Sequence, residues 1–476
     1  MLLNREKVVV FMLVLLAAVL RLWRIDKDLL IHYDQGRDLL AAYDIWKLHH
    51  PTLLGPTADD ETKGIFFSPI YYYLISLPLW LTAGNPVSAI VFLIAIELAS
   101  MLFLYIGAKK LFGKQTALLT LAMVVVSFGQ VSFSRWLSNA MPVQAIGNVF
   151  IFLLAKIANK EKVWHRFWLS LGILFVFNPA AGIGMVIFAL VWQIAVSKES
   201  FMEIIKGILL FLLPAIPQLL FEVRHQFLIT HGIWRMITNR SEGLGWSFLS
   251  LFAVGKVFGN FLTGIWSHGV EAISLAGLII VFFNWTKPKY RNQQILFFWV
   301  FSQVAILFLF RRPMYPHFYA AIGSGLILLL VNSLVNIGKQ VGIIICLVLV
   351  SANIFLDYTH LTQPNLGLTP IGTANLVTLE NRLKALDFIQ HTSGKNSYSL
   401  WTYTIPYFQD QPWRYLLLWK DMKRPVEKGE IFYTLYERDW DRPDRLEDWL
   451  ASANKISQIE QREKIANFTV EKRTWK

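Results

Sequence analysis

Residues Val87–Ile106 read VSAIVFLIAIELASMLFLYI, twenty positions with Glu97 as their single charge. A helix of that length rises about 30 Å, the thickness of a bilayer's hydrocarbon layer, so the stretch predicts a membrane span. Glu97 near its centre is costly there, which marks a polar bundle interior: it finds a structural partner or lines a donor groove. The runs Val8–Leu20, Leu118–Val131 and Val341–Leu356 carry the same reading. Of 476 residues, 55% are hydrophobic, 16% charged and 14% aromatic, and the mean hydropathy is +0.45. Those values exclude an ordinary soluble globular protein. The lone Cys346 excludes a disulfide framework or a Cys-based metal site within one chain and reads as an apolar packing residue. The first apolar run lacks a small-residue cleavage site ahead of Arg21 and reads as a retained span.

Worked outward, the pattern gives eleven spans, at 8–24, 87–107, 116–132, 143–158, 167–178, 180–196, 205–221, 269–285, 294–310, 317–335 and 341–356. The net charge of +13 sits in the apolar part: residues 1–356 carry 28 Lys+Arg against 16 Asp+Glu, and residues 357–476 carry 17 against 16. Lys and Arg beside spans fix topology, so the excess needs no nucleic-acid partner. The short basic loops Lys109–Lys114, Lys156–Arg166, Lys198–Lys206 and Lys287–Arg291 place the N-terminus in the cytoplasm. An odd span count then puts the C-terminal segment outside. The fold class predicted is an α-helical polytopic membrane protein of about 11 transmembrane helices with a small extracytoplasmic α/β domain. Its membrane domain is 1–356, with outer loops 25–68 and 222–266, and its outer domain is 357–476. Pro69–Leu81 is too short for a span and reads as an interfacial or re-entrant helix, with Tyr71–Tyr73 and Trp80 suited to the headgroup layer. In the outer domain, Ser397–Thr404, Glu430–Tyr436 and Ile465–Arg473 read as strands, Tyr407–Trp419 and Arg445–Ala453 as helices. No repeat of 20–50 residues is present.

The first outer loop carries the chemistry. In His32-Tyr-Asp34-Gln35-Gly36-Arg37-Asp38, a helix starting near Asp34 puts Asp34 and Asp38 on one face at i and i+4, with Arg37 in reach of both. Such a set holds a carboxylate beside a cation or binds a phosphate; alternatively Asp34 is an N-cap and Asp38 a first-turn acid stabilised by the helix dipole. Further along, Asp59-Asp60-Glu61-Thr62-Lys63 could hold a hard divalent cation or form a solvated loop tip. No nucleotide-binding glycine motif is present, which favours a lipid-linked ligand.

These features together resemble the GT-C superfamily of membrane glycosyltransferases. The similarity is to its branch of protein O-mannosyltransferases and bacterial aminoarabinose transferases. It rests on the first span, the outward Asp34-x-x-Arg37, the aromatic Pro69-Ile-Tyr-Tyr-Tyr-Leu74, Lys109-Lys-Leu-Phe-Gly113, and Pro313-Met-Tyr315-Pro316-His317-Phe-Tyr319. The resemblance covers roughly residues 1–356. It implies sugar transfer from a polyprenyl-phosphate donor, with inversion, at the extracytoplasmic face of a bacterial plasma membrane. In the family, an Asp of the first outer loop, usually followed by Glu, acts at the acceptor. Asp34 matches that Asp and Gln35 replaces the Glu; Asp38 or the Asp59–Glu61 cluster could supply a second carboxylate.

Transfer of this kind needs a base for the acceptor proton and cations for the departing phosphate. Asp34 and Asp38 are the catalytic candidates; Arg37, Lys63, Arg135, Arg311 and Arg312 are candidates for the donor phosphate, with Arg224 beside them. Each of these cations also fits snorkelling to the interface. Asp59, Asp60, Glu61, Tyr315 and His317 are candidates for the acceptor or sugar pocket, which Ser132–Asn139 could also line. No cofactor is firmly implied; a divalent cation could be held by Asp34, Asp60 and Glu61. The partners implied are a polyprenyl-phosphate sugar, membrane lipids, and a lipid, glycan or protein acceptor. The outer-domain aromatics Trp401, Tyr403, Tyr407, Trp413, Tyr415 and Trp419 suit either carbohydrate contacts or a packed core. A multispan transporter or lipid flippase without covalent chemistry is the competing reading, and a membrane-anchored binding protein a third.

Overall fold

A computed structural model describes residues 5–57, 64–238, 277, 279–281, 284, 291–309, 316–362, 377–405 and 409–476. The chain begins with α1 (Arg5–Leu22), the short α2 (Ile25–Asp28), α3 (Tyr33–Lys47) and α4 (Ile70–Leu81). The bundle continues through α5 (Pro86–Phe112), α6 (Lys114–Val126), α7 (Phe128–Ser134), α8 (Met141–Ala158), α9 (Trp164–Phe177), α10 (Ile183–Trp192), α11 (Phe201–Leu212), α12 (Ile216–Arg224) and α13 (Leu228–Thr238). After these come α14 (Arg291–Leu309), α15 (Gly323–Ile337) and α16 (Lys339–Thr362). Among the described residues six helices are long and apolar enough to cross a membrane, and α6 with α7, bent by 56°, make a seventh if the pair is counted as one span rather than a re-entrant loop.

The eleven spans read from the sequence each coincide with helix except 269–285, which falls largely outside the described residues. The differences have local causes. Leu118–Val131 is not one straight helix: Ser127 interrupts it with φ −59 and ψ 111, and Asn353 Oδ1 accepts the Phe128 N–H so released, at 2.9 Å. The last span does not stop at 356; α16 runs to Thr362, so a boundary at 356/357 falls inside a helix. There Asp357 is fully buried.

Bundle packing follows small residues and one buried polar network. At Gly107 of α5 a Cβ would lie 2.7 Å from the Phe152 backbone of α8, so only glycine allows this approach. Glu97 finds its partner in Arg21, whose Nε lies 2.9 Å from its carboxylate, with both side chains fully buried. Gln144 Nε2 donates to the same Glu97 oxygen at 2.7 Å, and Arg21 Nη1 donates to the Val125 carbonyl at 3.0 Å. The Arg21 Nε and Gln144 Nε2 donors converge on Glu97 Oε1, which is what makes burial of the pair in this apolar setting tolerable, while Glu97 Oε2 has no hydrogen-bond partner.

The C-terminal domain is a four-stranded mixed sheet of order β1-β2-β4-β3, from β1 (Tyr398–Tyr403), β2 (Ile431–Glu437), β3 (Ser457–Ile465) and β4 (Phe468–Trp475). β1 pairs with β2 in parallel and the other pairs are antiparallel. Its helices are α17 (Leu379–Ser393), α18 (Gln411–Trp419) and α19 (Pro443–Ile456). One face packs on α17 and α18 through Arg382, Trp413 and Phe468; the other on α19, where Trp449 meets Tyr403 and Tyr436. The closing strand expected from Ile465 is two strands joined at Ala466: β3 is exposed along nearly all its length, so its sequence shows no inward alternation. Tyr403, Trp413 and Tyr415 are core residues; Trp401 is exposed.

This domain is fastened to the segment between α2 and α3. The Ile31 N–H donates to the Val377 carbonyl at 3.1 Å, the Leu379 N–H to the Leu29 carbonyl at 2.7 Å, and Arg382 Nε to the Ile31 carbonyl at 2.6 Å. Tyr415 also donates from its hydroxyl to the Gly84 carbonyl, at 2.6 Å, ahead of α5.

Candidate functional site

α3 starts where the chain leaves that fastening. The His32 N–H donates to Gln35 Oε1 at 3.1 Å, satisfying a backbone donor at the helix start. Gln35 Nε2 donates to the Leu137 carbonyl at 2.9 Å. Gln35 is therefore buried, and its donor end is committed to backbone. Gly36 faces the C-terminal domain: a Cβ there would stand 2.3 Å from Pro412 N, so α3 and α18 meet backbone to backbone. Leu39 and Ala42 bury the inner side of the helix.

These anchors leave Asp34, Arg37 and Asp38 together. Arg37 Nη1 lies 2.8 Å from Asp34 Oδ1, and Nη2 lies 2.8 Å from Asp38 Oδ1, with Nε 2.9 Å from that same oxygen. The two acids differ in environment. Asp34 has 39% of its side chain exposed and Asp38 has 3%. Tyr72 of α4 donates to Asp38 at 3.2 Å. Burial pushes the Asp38 carboxyl up to about 6; Arg37 and Tyr72 oppose that shift and the Asp34 charge adds to it. One guanidinium thus bridges an inner acid, whose ionisation burial disfavours, and an outer acid that meets solvent.

The residues flanking the acidic loop tip return to this place. Gly55 and Phe67, then Pro56 and Phe67, exchange backbone hydrogen bonds, forming a narrow stem whose Thr57 hydroxyl accepts from Arg37 Nη1 at 3.5 Å. Asp59, Asp60, Glu61 and Lys63, which the stem carries, lie outside the described residues, as do Arg311, Arg312 and Tyr315. Among the described residues no group of three or more His, Cys, Asp or Glu could hold a metal ion.

The remaining candidates have distinct places. Arg135 is buried and donates from Nη1 to the carbonyls of Leu20, Arg21 and Trp23 at the end of α1, with Asp28 at 3.8 Å from Nη2. Arg224 is exposed at the end of α12. His317 packs on Trp136 at 6.1 Å between ring centres, next to Leu137, and burial holds its imidazole down to about 4. It therefore stays neutral at neutral pH. Sequence reading assigned Tyr71–Tyr73 to the headgroup layer, but only Tyr73 is exposed. Tyr71 and Tyr72 face inward, a distinction that follows from the phase of α4 against α3 and carries no sequence signal. Thr57 and Gly36 were likewise missed, and Leu137, within the Ser132–Asn139 stretch, was read as a pocket lining rather than as the backbone partner of Gln35, because each acts through backbone or through a partner distant in sequence.

No family model and no curated protein matches the chain. Solved structures do. ArnT from Cupriavidus metallidurans bound to undecaprenyl phosphate aligns with a TM-score of 0.57 at 12% identity, over 98% of this chain and 97% of that one. The same protein in its apo state aligns with a TM-score of 0.57 at 12% identity, over 98% of both chains. An Archaeoglobus fulgidus oligosaccharyltransferase tethered to an acceptor peptide gives 0.49 at 11% identity, over 89% of this chain and 60% of that one. The ArnT alignments show a shared fold running through both the helical bundle and the C-terminal sheet domain.

Proposed function

We propose that the chain is an inverting glycosyltransferase of the outer membrane face, taking a sugar from a polyprenyl-phosphate donor. The observation that carries the reading is the half-exposed Asp34 carboxylate, held by Arg37 on the first turn of α3 and backed by the buried Asp38. An ArnT-like fold, known also in a complex with undecaprenyl phosphate, supports a lipid-phosphate donor.

In this reading Asp34 takes the proton of the acceptor hydroxyl. The hydroxyl oxygen bonds to the anomeric carbon as the bond from that carbon to the phosphate oxygen breaks. The polyprenyl phosphate leaves with its electron pair. One base and a charge-stabilised leaving group suffice for inversion. Arg37 offers a planar fork of donors to the phosphate, and Asp38 with Tyr72 keeps that fork oriented. Lys63, Arg311 and Arg312 are proposed as further cations for the phosphate, and Asp59–Glu61, Tyr315 and His317 as acceptor-side groups. In this proposal the N-terminus lies in the cytoplasm and the sheet domain outside a plasma membrane, an orientation supported by the basic short loops.

The test is turnover of a panel of polyprenyl-phosphate sugars by the purified full chain, with membrane extract as acceptor. Asp34→Asn is expected to lower transfer by about 10²–10⁴-fold, the usual worth of a general base. Undiminished turnover in that variant moves the base to Asp38 or Asp59–Glu61. No turnover by wild type with any donor favours a transporter or binding role.

A further inference from the structure

Arg382 stands on the first turn of α17, fully buried between the sheet domain and the start of α3. Its guanidinium is engaged on three sides. Nε donates to the Ile31 carbonyl at 2.6 Å, and Ile31 immediately precedes His32, the N-cap position of α3. Nη2 lies 3.2 Å from Glu437 at the end of β2, a carboxylate as deeply buried as its partner. Cζ lies 4.4 Å from the centre of the Trp413 ring and 4.9 Å from that of Phe468. Trp413 in turn follows Pro412, whose backbone meets Gly36 of α3. One side chain thus touches the entry to the site helix, the helix packed against it and the sheet behind both.

Such a pair is a poor source of stability. Both charges are out of water, and burial pushes the Glu437 carboxyl up and Arg382 down to about 10, each against the attraction of the other. Arg382 Nη1 and Glu437 Oε2 have no hydrogen-bond partner. Apolar residues of similar volume would fill this seam at no greater cost. What they could not do is fix where Ile31 stops, since apolar contact is non-directional whereas a planar guanidinium holds its acceptors along set directions.

We infer that Arg382, oriented by Glu437, is a positioning residue: from the sheet domain it sets the start of α3, and with it Asp34 and Arg37. The effect on turnover rests on the proposed reaction; the hold on α3 stands apart from it.

The experiment uses the full chain in lipid nanodiscs and compares wild type with a double variant, Arg382→Met with Glu437→Leu, in which neither charge is left alone. It is read by backbone hydrogen exchange, by thermal midpoint, and by turnover of whichever polyprenyl-phosphate sugar wild type uses. Exchange in residues 36–40 is expected to quicken by about 10-fold, the worth of one buried hydrogen bond, while α5 keeps its wild-type rate. The midpoint is expected to stay within about 5 °C of wild type, because desolvation of the pair offsets its attraction. Turnover is expected to fall by roughly 10–100-fold, the scale of a misplacement of about 1 Å. Wild-type exchange in residues 36–40 overturns the inference, as does quickened exchange there with unchanged turnover. A midpoint lowered by more than about 10 °C, with exchange raised in α5 as well, shows a general stability role and overturns it too. If wild type transfers no sugar, the proposed function fails, and the exchange in residues 36–40 alone still decides the hold on α3. Should the double variant not fold, Arg382→Lys is read instead, since it keeps the charge toward Glu437 but not the fork. The same local quickening upholds the inference and wild-type exchange overturns it.

Discussion

Asp38 and Asp34 are chemically identical acids set four residues apart, and burial, with Tyr72 at the inner one, separates their behaviour. With its carboxyl pushed up to about 6, Asp38 is protonated at mildly acidic pH and then no longer gives Arg37 an inner anion. Turnover should fall as pH drops through about 6, and Asp38→Asn should remove that limb while lowering the plateau; a limb unchanged in the variant assigns it elsewhere. The stability sign runs the opposite way. The folded form binds this proton more tightly than the unfolded chain, so the stability from Asp38 is full below the usual carboxylate range near 4 and is lost as pH rises through about 6. Gln35 carries a second prediction. Replacing it by Glu restores the acidic pair of the resembling family, yet here it sets a carboxylate against the Leu137 carbonyl that Gln35 now serves as donor. Gln35→Glu should therefore lose roughly 1–3 kcal/mol of stability and gain no activity, checked by thermal unfolding and donor turnover. The cluster was legible because the spacing of Asp34, Arg37 and Asp38 on a helix is a sequence property. Their inequality was not, since it depends on Tyr72 and on which side of α3 faces the bundle.

Among the elements, α4 divides its labour by face. Tyr73, Leu77 and Trp80 follow at i, i+4 and i+7 and are 38%, 48% and 60% exposed, an apolar stripe suited to lipid contact. The inward face carries Tyr72 to Asp38. The sequence showed the helix through Pro69, Pro78 and the aromatics, but not which of its faces turns inward. The contact of α3 with α18 is as close as backbones permit. Gly36→Ala should force α18 away from the site helix, because the Cβ would overlap Pro412 N at 2.3 Å and neither backbone can yield. Its expected signature is a loss of about 1–3 kcal/mol, typical of overpacking, with a drop in turnover larger than that of an alanine placed at a solvent-facing position of α3. Equal turnover in both would show that α18 does not set the site. Spans were legible from hydropathy and loops from charge. The bend at Ser127 was hidden, because its stabilising partner, Asn353, lies far along the chain.

At the scale of the whole molecule, two fastenings hold the architecture: the Arg21–Glu97 pair within the bundle and the backbone pairing of residues 29–31 with 377–379. Glu97→Leu leaves Arg21 buried without its anion, so a loss of about 3–5 kcal/mol is expected in reversible unfolding, far more than for an exposed pair such as Lys206 with Glu203. Composition and patterning foretold a helical bundle followed by a small sheet domain, whereas their junction could not be read, since backbone pairing leaves no trace in side-chain identity. The second fastening also sets an order of assembly. The ribosome delivers Ile31 351 residues before Arg382, so α3 enters the membrane interface with its N-terminal anchor still unsynthesised. The seam between α3 and the sheet domain is then the last part of the molecule to mature: in a nascent chain halted before Thr378, residues 29–31 lack their backbone partners at 377–379, and α18 has yet to close on Gly36.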